Sequence, residues 1–286
     1  MKQTAKHKTA SFGDVDYWLS EWLKGSRREA VNTHEAYRRD VGQFLNARQK
    51  PFDQVAVGDF LEYQSSLSDS APRTLARKMA SLRSFYKFLC NREVLSLNLA
   101  RIETPRAKQS VNHDTLLTEK EIVAIIEAAT DHTHRVFVRF LYLTAVRVSE
   151  ALNCRWRDIT LLETEGAEAH IVGKGNKRRD VFIPPSLHFD LALMWDESMP
   201  PDAPLFPSIK NRVQALRIVQ GLAKVAKIEK PVSPHSFRHA HISHALKNGA
   251  TLAECRDIAG HSNISTTSLY VHASKDRATA TRLRIT

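Results

Sequence analysis

Cysteine is scarce in this 286-residue chain: only Cys90, Cys154 and Cys255, an odd number at wide spacings with no CxxC pair. That excludes a disulfide framework and a cysteine zinc site, and fits a reducing compartment. No run approaches 18 uninterrupted apolar residues, and the basic start MKQTAKHKTASF has no apolar core, so the sequence predicts neither a membrane span nor a secretory leader. A GxxxxGK[ST] phosphate loop is missing too, since GKGNK at 173–177 lies between two strand-like runs and not between a strand and a helix. Acidic residues are outnumbered, 31 Asp and Glu against 42 Lys and Arg, for a net charge of +11. The expected partner is therefore a polyanion.

What is present is ordinary globular composition, 42% hydrophobic and 26% charged, over a length that suits two domains. Residues 1–110 carry nineteen Lys and Arg against twelve Asp and Glu, a net +7, and the other 176 residues contribute +4. Both halves are basic, which points to two modules on one polyanion and not to a basic tail on a neutral enzyme.

The first half reads as helix. Val15, Trp18, Leu19, Trp22 and Leu23 recur at i, i+3, i+4, i+7 and i+8. Tyr37, Val41, Phe44 and Leu45 form a second stripe, with Thr33 as the expected N-cap, and a third helix is predicted over 57–66. A fourth, 72–90, places Leu75, Met79, Leu82, Phe85, Tyr86 and Leu89 inward. Its other positions carry Arg73, Arg77, Lys78, Arg83 and Lys87, of which Arg73, Arg77, Lys78 and Arg83 are candidate nucleic-acid contacts. Residues 98–114 break the periodicity and read as a connection.

In the second half, Thr118 and Glu121 have capping-box spacing ahead of an apolar helix. Helices are predicted at 134–144, 147–153, 185–197, 210–227, 236–247 and 252–259, with a last short one around Tyr270. Residues 167–183 alternate around the Gly-Lys-Gly-Asn-Lys turn and predict a β-hairpin.

Four clusters carry chemistry: Arg147 with Glu150 in TAVRVSE, Lys174 in the hairpin turn, His235 and Arg238 in HSFRH, and His261 nine residues before Tyr270. Singly each has a plain structural explanation. Arg147 can pair with Glu150 at i+3, Lys174 can be an exposed turn lysine, and Tyr270 can be core. His235, His239, His241 and His244 suggest a metal, but no HExxH glutamate accompanies them and Arg238 would repel a dication. No metal and no cofactor is expected.

Taken in order, TAVRVSE, VGKGNKRR, PHSFRHA and AGHSNISTTSLY closely resemble the motifs of the tyrosine recombinase (phage integrase) family, over nearly the whole chain. The overall length looks most like the Xer-type simple recombinases. Ala145 stands where the family usually has glycine, and Ala259 where leucine usually precedes the glycine-histidine pair.

The resemblance implies a mainly α fold with a small β-hairpin or sheet. A SAM-like helical core-binding bundle over 1–105 and a connection over 106–114 would precede a catalytic domain over 115–286. It implies Tyr270 as nucleophile, Arg147 and Arg238 on the phosphate, and Lys174 protonating the departing 5′ oxygen. His235 would assist proton transfer and His261 hydrogen-bond the phosphate. Physical chemistry agrees: two guanidinium forks suit a transition state whose charge sits on non-bridging oxygens, and Arg keeps its charge where Lys need not. Lys177, Arg178 and Arg179 are expected to be phosphate-backbone contacts.

The expected partners are a double-stranded recombination site and further copies of the chain, as a tetramer on synapsed DNA, or a related recombinase. The expected location is the cytoplasm, at the nucleoid. A type IB topoisomerase-like nicking-closing enzyme and a non-catalytic DNA-binding regulator are the alternatives.

Overall fold

A computed structural model of the protein describes residues 14–24, 31–102, 104, 113–163, 165–173 and 176–260. The chain forms two compact units, 1–108 and 109–286.

The first unit is helical: α1 (Asp14–Lys24), α2 (Val31–Arg48), α3 (Val57–Ser66) and α4 (Pro72–Asn91). The apolar stripes bury as their spacing predicts, with Leu19, Trp22, Val41, Phe44, Phe60, Met79, Leu82, Phe85 and Leu89 all in one core. Aromatic edges lock it, Phe60 and Tyr86 lying 4.9 Å apart and nearly perpendicular. Pro72 occupies the first turn of α4, where its missing N–H costs nothing. Thr33 is not the cap of α2, because the helix already begins at Val31 and Thr33 lies inside its first turn. The connecting segment also starts later than its sequence suggests. Leu99–Arg101 form a 3-10 turn capped by Asn98, and Ile102 is buried in the first core.

The second unit holds α5 (Glu119–Glu127), α6 (His132–Thr144), α7 (Val148–Asn153), α8 (Pro185–Ala192), α9 (Arg212–Val225), α10 (Pro234–Lys247) and α11 (Leu252–Ala259). The capping box forms at α5: Thr118 Oγ1 accepts from Glu121 N, while Glu121 Oε2 accepts from Thr118 N. The helix predicted over 185–197 stops early, at Ala192. Beyond it Met194 and Trp195 make i→i−3 bonds, and Asp196 turns the chain by accepting from both Ser198 N and Ser198 Oγ.

The predicted hairpin is β2 (Ala167–Val172) with β3 (Arg178–Ile183), antiparallel, pairing Ala169 with Val181 and Ile171 with Arg179. A third strand, β1 (Ile159–Leu161), pairs antiparallel with β2. At three residues it is too short to show an alternation in sequence. Ala167, Ala169, Ile171, Val181 and Ile183 face the core, which α6 fills with Phe137, Phe140 and Leu141. None of the described helices is long and apolar enough to cross a membrane.

Candidate active site

The site grows from the loop between α6 and α7. Helix α6 ends at Ala145, which adopts left-handed geometry (φ 51°, ψ 21°). That conformation favours glycine, so the departure from the glycine expected here is a departure at a strained position. The turn delivers Arg147 to the N-terminus of α7, where Glu150 reaches back to accept from Arg147 N at 2.8 Å, the reciprocal half of a capping box.

Glu150 is buried and does more than cap. Its Oε1 accepts from Arg147 Nη1 at 2.8 Å and Arg179 Nη1 at 3.2 Å, and its Oε2 accepts from Arg179 Nη2 at 2.7 Å. Burial alone raises the Glu150 carboxyl, but the hydrogen bonds and charge of Arg179 and Arg147 outweigh it and hold the group below the usual glutamate range. A buried carboxylate with every lone pair used is a rigid mount for the arginines around it.

Arg238, on the first turns of α10, is also buried. Its Nη1 donates to Ala145 O at 2.6 Å and its Nη2 to Ala259 O. Three arginines from three elements thus converge on the last turn of α11. Ile258 O accepts from Arg179 Nε at 2.9 Å, Ala259 O from Arg238, and Gly260 O from Arg147 Nη2 at 3.4 Å. Unsatisfied carbonyls at a helix C-terminus carry partial negative charge, which fits three guanidinium groups. Gly260 closes the helix at φ 59°, and a Cβ there would sit 3.2 Å from Arg179 Nη1.

His235 stands one turn before Arg238 on α10. Its ring still reaches solvent, yet the protein packed round it makes charging costly. Together with the positive charge of Arg238, Arg147 and Arg212, this lowers its pKa below the ordinary histidine value. The ring is held neutral at neutral pH and is free to accept a proton.

Of the six expected catalytic residues, the structure brings Arg147, Arg238 and His235 into one neighbourhood. Lys174, His261 and Tyr270 lie outside the described residues; Gly173 directly precedes Lys174 and Gly260 directly precedes His261. Arg212, whose charge also bears on His235, sits at the start of α9 with no motif around it in the sequence.

Two of the expected nucleic-acid contacts have partners within the protein. All three guanidinium nitrogens of Arg179 are engaged, by Glu150 and Ile258 O. Alternation along β3 turns Arg179 inward with Val181 and Ile183, while Lys177 and Arg178 are exposed. In the first unit Arg77 is engaged by buried Asp40, with Ser81 as a further partner of that carboxylate. Lys78 lies over the Tyr63 ring, 5.9 Å from its centre, and Arg73 is exposed.

Two further histidines of α10 are employed structurally. His241 Nδ1 donates to Tyr142 O at 2.7 Å, and Tyr142 Oη and His244 Nδ1 are hydrogen-bonded at 2.9 Å. Among the described residues, the group with ligand-like spacing is Glu168, His170 and Asp180, on the outer face of the sheet.

Comparison with known proteins places the chain. Residues 115–277 match the model of the phage integrase family, and residues 17–93 match its N-terminal SAM-like domain. The chain belongs to the phage integrase family. It is 29% identical over 280 residues to the tyrosine recombinase XerC of Anoxybacillus flavithermus, covering 90% of this chain and 92% of that one. It is 28% identical to the tyrosine recombinase XerD of Listeria innocua, covering 87% and 90%. Among solved structures, the XerA recombinase is 26% identical at a TM-score of 0.50, covering 95% and 99%. The XerH recombinase bound to its difH substrate shares the fold at 17% identity and a TM-score of 0.69, covering 97% and 85%.

Proposed function

We propose that this chain is a site-specific DNA recombinase that cuts and rejoins strands through a covalent 3′-phosphotyrosine at Tyr270. The observation that carries the reading is the convergence of Arg147 and Arg238 on the end of α11, immediately before His261. Arg147 is anchored by the Glu150 carboxylate and Gly260 O, and Arg238 by Ala145 O and Ala259 O, which fixes the orientation in which each guanidinium meets a phosphate.

In the first step the Tyr270 oxygen attacks phosphorus, the P–O5′ bond breaks, and the 5′ oxygen leaves with a proton from Lys174. His235, kept neutral, takes the phenolic proton. Help is needed there, because a free phenol near pKa 10 is only about one part in a thousand ionised at neutral pH. The arginines neutralise charge on the non-bridging oxygens. In the second step a 5′ hydroxyl from the partner duplex attacks, the P–Oη bond breaks and the tyrosine is restored. Bond number is conserved throughout, so no nucleotide cofactor enters the balance.

Both basic units contribute to the grip on duplex DNA, so affinity falls with salt at a log–log slope of about −0.9 per phosphate neutralised. Four copies act on two duplexes. Residues 274–286, with Ala278, Leu283 and Ile285 among basic side chains, join neighbours by burying those apolar groups. Relatives named tyrosine recombinase XerC and XerD, and a fold neighbour solved bound to its difH substrate, support the DNA substrate.

The test is a supercoiled plasmid carrying two copies of a site that the protein itself selects from a random-sequence duplex pool. Deletion or inversion of the intervening segment supports recombination. Relaxation alone, with no exchange, contradicts it. A chain lacking residues 275–286 should still bind one site and fail to exchange two.

A further inference from the structure

We infer that Arg179 is a positioning residue for the strand-transfer chemistry, locking the backbone just ahead of Lys174 and of His261 onto the carboxylate that orients Arg147. The inference rests on the recombinase reading above and extends it to a residue whose position in a basic run suggested DNA contact.

The geometry is specific. The Arg179 fork takes both oxygens of Glu150, at 3.2 and 2.7 Å, while Nε donates to Ile258 O at 2.9 Å. The same guanidinium lies against two glycines. A Cβ on Gly173 would come within 3.3 Å of Arg179 Nη1 and of Glu150 Oε1, and one on Gly260 within 3.2–3.3 Å of three Arg179 atoms. Both glycines therefore make room for one planar group, and each immediately precedes an expected catalytic residue.

The hairpin turn is closed from its other side by Gly173 N donating to Lys177 O at 2.8 Å, so β2 and β3 cannot drift apart at that point. Glu150 passes the constraint on, since it holds Arg147 through both backbone N and Nη1. Arg179 thus links the hairpin it stands on to α7, through Glu150, and to the end of α11. The Arg179 side chain is 13% exposed, and all three of its guanidinium nitrogens are engaged within the protein. Lysine can supply the charge but neither the fork nor the third bond.

The experiment uses the full-length chain and a nicked duplex carrying the selected site, which traps the covalent complex. Single-turnover cleavage at saturating DNA, site affinity and thermal melting are measured for wild type, R179A and R179K. Misplacement of this kind costs on the order of 100-fold in rate. Both variants are expected to bind the site almost as wild type does and to cleave far more slowly. A second substrate carries sulfur at the bridging 5′ position, whose thiolate departs without a proton. If the hairpin lysine is misplaced, the R179A or R179K deficit shrinks on sulfur.

Wild-type-like cleavage by R179K overturns the proposal, as does a defect seen only in affinity, which returns Arg179 to DNA contact. A deficit unchanged by sulfur also overturns it. Should R179A fail to fold, R179K alone decides. Absence of a covalent band from wild type contradicts the recombinase reading instead, so the two failures are distinct.

Discussion

Arg238 donates to the carbonyl oxygen of Ala145 at 2.6 Å, tying the first turns of α10 to the left-handed residue that ends α6. This single bond sets the path of the chain into Arg147, and Arg238 carries the same link onward to Ala259 O. Both arginines are therefore built into the backbone around them.

Ala145 holds φ 51° with a buried methyl, whereas Gly260 holds φ 59° beside the Arg179 guanidinium. Relief of left-handed strain, about 1–2 kcal/mol, outweighs loss of one buried methyl, about 0.8 kcal/mol. A145G should raise the chemical-denaturation midpoint, by less than about 1 kcal/mol in stability. G260A should lower it, since the new Cβ meets both the strain and Arg179. Equal shifts of the same sign in the two variants contradict the backbone assignment.

R147K and R238K keep charge and lose the fork. If each arginine acts like an oxyanion-hole donor, cleavage should lose about 2–4 kcal/mol of transition-state stabilisation. Site affinity should change little beside this, because other basic residues hold the duplex. Gel-shift titration and single-turnover cleavage on the same duplex separate the two effects. R238K should also melt earlier, since Arg238 is buried and bonded to Ala145 O and Ala259 O.

Histidine titration gives a signed pH dependence. His235, His241 and His244 all have pKa values lowered from the ordinary value of 6.5, each first through burial. The unfolded chain therefore binds protons before the folded one as pH falls below about 6.5. Stability should be level above that pH and decline below it, down to the lowered values. Under the proposed mechanism, in which neutral His235 takes the tyrosine proton, cleavage should follow the same direction. Replacing His235 with Gln should slow cleavage and flatten the acidic limb of the rate profile. A limb unchanged in H235Q assigns the titration to another group.

Most of this was legible in sequence, for physical reasons that differ by element. The apolar stripes of α1, α2 and α4 are long enough for a 3.6-residue period to declare itself, and the Thr118–Glu121 box marks its helix start directly. Strand β1 has three residues and no period to read. Arg147, His235 and Arg238 were found through motifs. The carboxylate hub at Glu150 was visible only as an i+3 pair with Arg147, because Arg179 approaches it from 29 residues away. Arg179 was read as one of three basic residues in a row. Its alternation with Val181 and Ile183 was the available signal, and it distinguishes an inward strand residue from its exposed neighbours. The partner of Arg77 is likewise invisible in sequence, since Asp40 lies on another helix.

The most direct measurement is covalent trapping on a nicked duplex carrying the selected site, resolved on a denaturing gel for wild type and Y270F. The account predicts a slow-migrating protein–DNA band with wild type alone, formed in the presence of chelator, while Y270F binds the same duplex without forming it. A covalent band of wild-type intensity from Y270F, or none from wild type on a duplex it binds tightly, would contradict the assignment of Tyr270 as the nucleophile.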